Sequence, residues 1–73
     1  MIKDLNFMPA VMMILDRGGM YREGSGNTKF YFDSSGSFQC WHKGRYSHVE
    51  LLECDFRGNN WVVDEDWVPS EHG

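Results

Sequence analysis

Thr28-Lys29-Phe30-Tyr31-Phe32-Asp33-Ser34-Ser35-Gly36-Ser37-Phe38-Gln39-Cys40-Trp41-His42 is the stretch on which the fold turns. Side chains on a strand alternate between its two faces, so Phe30 and Phe32 fall on one side and Lys29 and Tyr31 on the other. From Ser37 to His42 the same alternation sets Phe38, Cys40 and His42 opposite Gln39 and Trp41. Between the two runs, Asp33-Ser34-Ser35-Gly36 combines an Asx-type side chain with a glycine free to take positive φ. An antiparallel hairpin is predicted, with its phenylalanines toward a core.

Upstream, Gly24-Ser25-Gly26-Asn27 reads as a loop and Met20–Glu23 as a short strand. Before them, Phe7, Ala10, Val11, Ile14 and Leu15 recur at i, i+3, i+4, i+7 and i+8, the spacing of one helical face. Asn6 is a suitable N-cap, Pro9 is tolerated in a first turn, and Gly18-Gly19 supply the stop. Met8, Met12 and Met13 occupy the rest of this helix, which is therefore apolar almost all round. Such methionines either fill the margins of a sheet or form a subunit interface.

Downstream, Lys43-Gly44-Arg45 reads as a second turn, and residues 46–52 as a strand passing into a short helical turn. Gly58-Asn59-Asn60 precedes a final β-branched and aromatic strand, Trp61-Val62-Val63, with Trp61 as its core anchor. The expected fold is α+β, one N-terminal helix packed on a small antiparallel sheet. Residues 1–73 form a single domain, with 65–73 as a flexible acidic tail containing Trp67 and Pro69.

The chain has 73 residues, enough for one small core that buries about 60–65% of the unfolded surface. Cys40 and Cys54 are its only cysteines, and nothing precedes the helix that resembles a leader, so a cytoplasmic protein with reduced thiols is expected. No run approaches the roughly 20 apolar residues of a membrane span. Eleven acids against seven bases give a net charge of −4, which repels a nucleic-acid backbone, and direct nucleic-acid binding is not expected.

Cys40, His42, His48 and Cys54 are zinc-ligand types but lack the paired spacing of structural sites, so no metal is expected. No third group orients a Cys–His pair, so no catalytic residue is assigned and no cofactor is inferred. The loop Gly24-Ser25-Gly26-Asn27 has an unhindered backbone but no Walker ending. Tyr21 and Arg22 precede it, and an aromatic beside a guanidinium suits a purine stacked above a phosphate, although an ordinary hairpin loop with a surface arginine accounts for the same residues. Trp41, opposite Phe38, is the ring expected outside the core.

Phe7-x-x-Ala10 in a capped helix, a glycine stop and Met20-Tyr21-Arg22, taken with Asp55-Phe56-Arg57-Gly58-Asn59-Asn60-Trp61-Val62-Val63, resemble the two ends of the phage-encoded second-type Thoeris anti-defence proteins and their relatives. Members of that family open with a Phe-x-x-Ala-Leu type helix and close with a pattern like Asp-Leu-Leu-Ala-Asp-Asp-Trp. After Arg22 the family carries a Gly-Trp-Asn type segment, where this chain has Glu23-Gly24-Ser25-Gly26-Asn27. The resemblance implies an oligomerising α+β subunit that sequesters a cyclic ADP-ribose or cyclic-nucleotide immune signal without turning it over, in the cytoplasm of an infected or lysogenic host. On that reading Tyr21 or Trp41 stacks the base, Arg22 with the backbone of Gly24 and Gly26 holds phosphate, and Asn27, Asn59 or Asn60 reads polar edges. The alternative is an anti-CRISPR-like inhibitor that presents acidic and aromatic surface to a host defence protein. A third reading is a phage accessory subunit with no ligand.

Overall fold

The computed structural model describes residues 1–69. Among them, six strands form one sheet in the order β1-β6-β2-β3-β4-β5, every neighbouring pair antiparallel. The strands are β1 (Ile2–Leu5), β2 (Gly19–Arg22), β3 (Thr28–Phe32), β4 (Phe38–His42), β5 (Arg45–Ser47) and β6 (Trp61–Asp64). Helix α1 (Phe7–Met13) joins β1 to β2 and packs on the sheet, and α2 (Glu53–Arg57) precedes β6. The α+β architecture is the expected one.

The decisive hairpin forms with its phenylalanines on one face, in a register that sets Phe32 opposite Phe38, Phe30 opposite Cys40 and Thr28 opposite His42, so that Ser37 joins the turn. Its turn is organised by Asp33. The Asp33 carboxylate accepts from the Ser35 and Ser37 amides, the Ser35 hydroxyl and the Gln39 side-chain amide, while Gly36 takes φ +84°. Hydrogen bonds that favour the charged form, first the Ser35 hydroxyl, pull the Asp33 pKa from 3.8 to about 2. Because the folded pKa lies below the ordinary one, this stabilisation is present above pH 3.8 and is lost as pH falls toward 2. Acid unfolding of Asp33→Asn should therefore show a shallower decline between those pH values than the unsubstituted chain, read as urea midpoint against pH; parallel curves would exclude the turn network.

The next turn is tighter than expected. His42 pairs with Arg45, so Lys43 (φ +50°) and Gly44 (φ +81°) alone close a two-residue turn of the mirror-image type, and Arg45 belongs to β5.

Four local expectations are corrected. Strand β1 has no counterpart in the sequence reading: its pairs with β6, Ile2–Val63 and Leu5–Trp61, span unequal lengths of chain, and the extra residue is absorbed by a bulge with Asp4 at φ +59°. The bulge breaks the alternation that would have advertised a strand. Asn6 holds the N-cap backbone conformation but makes no side-chain capping bond. The helix ends at Met13, so Ile14 still reaches the core while Leu15, half exposed, leaves the predicted stripe. The helical turn expected within residues 46–52 lies further on, as α2.

Phe7, Ala10, Ile14, Met20, Phe30, Cys40, Trp61 and Val63 make the core on the helix-covered side. Trp61 is fully buried at its centre and meets Phe7 and Phe30 edge-on, with ring centroids 5.4 and 5.7 Å away. The opposite face is covered by aromatic side chains. Trp41 sits edge-on against Tyr46 at 4.7 Å and is only 8% exposed, so the ring expected outside the core belongs to a second buried layer. Burial, with Tyr46 alongside, raises the Tyr31 pKa well above that of an ordinary tyrosine.

The segment read as a tail is described through Pro69; residues 70–73 lie outside the described residues. Trp67 turns back onto this second layer, 5.4 Å from Tyr31 and above Gly19, where a Cβ would approach its ring to 2.7 Å. Gly19→Ala should displace Trp67 at a cost of about 1 kcal/mol, seen as a red shift and greater iodide quenching of tryptophan emission. Unchanged quenching would mean that Trp67 does not dock there.

Candidate functional site

The helix side of the sheet ends in a recess of about 170 Å³ lined by Arg22, Ser25, Thr28, Phe30, Glu50 and Asp55. Alternation brings Arg22, Thr28 and Phe30 onto this side from neighbouring strands, since Arg22 is opposite Trp61 and Phe30 is opposite Cys40. The loop after β2 folds over the end of the sheet: the Ser25 amide donates to the Arg22 carbonyl, the Thr28 amide donates to the Ser25 carbonyl, and Gly24 takes φ +87°. Segment 48–52, which joins β5 to α2, supplies Glu50.

Arg22 and Asp55 form the site's fixed element. Nη1 of Arg22 donates to Oδ1 of Asp55 over 2.8 Å, with the arginine side chain 34% exposed and the aspartate nearly buried. The other carboxylate oxygen accepts from the Leu52 amide at 2.7 Å, holding the start of α2, and the Asp55 carbonyl accepts from Nε1 of Trp61. Asp55 thus ties the recess to the core. Among the described residues only Nη1 of the guanidinium is bonded, which leaves donors of its five N–H groups toward solvent and the recess.

The residues expected to share one ligand are divided by the fold. Tyr21 and Arg22 are adjacent on β2, so they face opposite sides of the sheet: Tyr21 carries Lys29 Nζ 4.9 Å above its ring, on the side away from the recess. A purine stacked on Tyr21 cannot have its phosphate held by Arg22 on the same face. Trp41, buried on the Tyr21 side, is likewise remote from the recess. Gly24, Gly26 and Asn27 lie in the exposed loop; the Gly26 carbonyl accepts from Lys29 Nζ and the Asn27 carbonyl from the Lys43 amide. Asn59 is exposed in the turn before β6. Asn60 stands at the same sheet end, where its carbonyl accepts from the Glu23 amide and its buried side-chain oxygen has no hydrogen-bond partner among the described residues. The geometry thus gathers Arg22, the 24–27 loop and the 59–60 turn at one end of the sheet, and separates Tyr21 and Trp41 from Arg22.

Ser25, Thr28, Glu50 and Asp55 are the lining residues that the sequence reading did not assign. Asp55 stood inside a quoted motif, but nothing local joins it to an arginine 33 positions earlier. Cys40 is buried, which raises its thiol pKa, whereas Cys54 is exposed beside Arg22 and His42 is bonded to the Thr28 hydroxyl. No group of three or more His, Cys, Asp or Glu is placed to hold a metal ion among the described residues, and no helix among them is long and apolar enough to cross a membrane.

Fold and recess together define a small α+β protein with a single antiparallel sheet and one polar, arginine-bearing depression at its end. In comparisons with known proteins, no family model, no curated protein and no solved structure matches this chain.

Proposed function

We propose that the protein works by binding rather than by turnover, and sequesters a nucleotide-derived signal of the cyclic ADP-ribose or cyclic oligonucleotide type as a phage anti-defence protein. The observation that carries the reading is Arg22, braced by Asp55 at 2.8 Å with further donors open beside the hydroxyl-bearing Ser25 and Thr28. A braced guanidinium recognises phosphate with little further loss of side-chain freedom. Glu50 on the wall accepts from ribose hydroxyls or an exocyclic amine, and Phe30 offers an apolar surface. At about 170 Å³ the recess is smaller than the ~300–1,000 Å³ of ordinary ligand pockets. It therefore takes one phosphate-and-sugar portion of the ligand, while the remainder extends along the 24–27 loop. The anti-defence role rests on the resemblance of the two chain ends.

Native mass spectrometry after incubation with cyclic ADP-ribose isomers and cyclic oligonucleotides tests this. A retained ligand mass is expected, weakened about tenfold or more in Arg22→Lys, which keeps the charge but loses the planar fork. Glu50→Gln should change which ligand is preferred. A bare protein for every compound overturns the reading, and full retention in Arg22→Lys removes Arg22 from the site.

The alternative, an inhibitor that binds a host defence protein, is favoured by the acidic Asp64-Glu65-Asp66 run at the end of β6. It requires complex formation that weakens steeply with salt and is lost when those three residues are neutralised.

A further inference from the structure

Strand β5 (Arg45–Ser47) ends the sheet, and each of its residues is exposed. Which of its backbone groups are free follows from the ladder beside it. The Lys43 amide donates to the Asn27 carbonyl and the Asp33 amide to the Ser37 carbonyl, one at each end of the β3–β4 pair. Bonded and unbonded pairs alternate along an antiparallel ladder, so Trp41 also turns its amide and carbonyl toward β3. Its pairing with Tyr46 is then an unbonded one, whereas His42 and Arg45, which flank the two-residue turn, exchange both bonds. Tyr46 therefore points its N–H and C=O outward, off the edge of the sheet. Outside the β4–β5 pair, no backbone bond to residues 44–51 covers them among the described residues.

The other edge is blunted. Strand β1 is interrupted by its bulge at Asp4, a device that keeps an edge from accepting another strand, and the Met1 amino group is held by Glu65 beside the acidic end of β6. Charge divides the two edges in the same way. Residues 34–49 contain no acid, although the chain as a whole carries a net charge of −4. Within that stretch Lys43 and Arg45 are exposed, and neither forms an ion pair among the described residues. Tyr46, 62% exposed, supplies an aromatic surface on the opposite side of β5 from Arg45.

We infer that β5 is a docking edge for an extended acidic segment of a partner protein, which joins the sheet as a further strand bonded to the Tyr46 amide and carbonyl. Strand addition of this kind takes its affinity from main-chain bonds and its selectivity from alternate side chains. The partner residue opposite Tyr46 lies on the Tyr46 side and is apolar or aromatic, packing on that ring. Its two neighbours lie on the Arg45 side, where carboxylates meet the guanidinium, with Lys43 in the adjoining turn. A polynucleotide would also be drawn to two free cations, but it has no strand backbone to match Tyr46. The inference stands apart from the recess at Arg22 and from any ligand there.

Amide-resolved NMR of the isotope-labelled full chain with a capped peptide of alternating glutamate and valine tests it. The Tyr46 amide is expected to shift and to exchange with solvent more slowly, while the β1 amides stay unchanged. Arg45→Glu combined with Lys43→Glu should weaken the peptide about tenfold or more, and so should about 0.5 M salt with the unsubstituted chain. Both substituted side chains are exposed, so the unbound spectrum should stay native; the salt arm reads the same charge dependence without any substitution. The same peptide with lysine for glutamate should not bind. No binding of the acidic peptide, or binding that leaves the Tyr46 amide unprotected, would overturn the inference. Tighter binding of oligothymidylate would overturn it as well, by making this edge a phosphate site.

Discussion

Trp61→Ala is expected to leave the protein largely unfolded at room temperature. The indole is fully buried between Phe7 and Phe30, and its N–H donates to the Asp55 carbonyl over 2.7 Å. Truncating a buried tryptophan costs about 3–5 kcal/mol, and the orphaned carbonyl adds about 1–3 kcal/mol where water cannot reach it. At about 0.05–0.15 kcal/mol per residue, a chain of this size has a total stability of roughly 4–11 kcal/mol. The loss is comparable with the whole. Far-UV circular dichroism through a urea titration should show either no native baseline or a midpoint lowered by more than about 2 M, taking a slope near 1 kcal/mol/M. Trp61→Phe keeps most of the ring and should lose markedly less. A midpoint shift under 1 M for the alanine variant would be incompatible with this core.

The second large effect is expected at Asp55. Asp55→Ala removes the partner of Arg22 and the acceptor of the Leu52 amide together. Breaking a buried ion pair by deleting one member costs about 3–5 kcal/mol, but Arg22 is a third exposed and water compensates part of its charge, so about 2–3 kcal/mol is the appropriate expectation. Asp55→Asn, which retains an acceptor for Leu52, should recover part of that loss. A double-mutant cycle with Arg22→Gln isolates the pair, and a coupling of about 1–2 kcal/mol is expected. Additive losses would show that Asp55 acts through α2 alone, and Arg22 would then no longer be a braced binding group.

These two residues also mark how far the sequence could be read. Trp61 is legible as a core anchor because a β-branched strand after a Gly-Asn-Asn turn has a local signature. Asp55 carries no such signature, because its role depends on an arginine far along the chain. Tyr21 and Arg22 illustrate the converse. Their adjacency suggested a joint ligand site, whereas consecutive residues on a strand face opposite ways, so once β2 is inserted between β6 and β3 they belong to different surfaces. The position of Trp41 on the face opposite Phe38 predicts a ring outside the core; it is buried because Tyr46 and the other aromatic side chains of that face cover the sheet where no helix does.

By itself the sequence determined the α+β class, the β3–β4 hairpin with its phenylalanines on one face, the presence of an N-terminal helix and the glycine-dependent turns. Each depends on interactions between residues a few positions apart, and period-two alternation and positive φ leave their marks in neighbouring residue types. Tertiary structure alone decided the strand order, the bulged pairing of β1 with β6, the second aromatic layer closed by Trp67, and the meeting of Arg22 with Asp55. Those are long-range pairings whose free energy comes from burying apolar surface and satisfying polar groups between distant segments. No short window of the chain contains both partners, so no local pattern records which distant partner each residue meets.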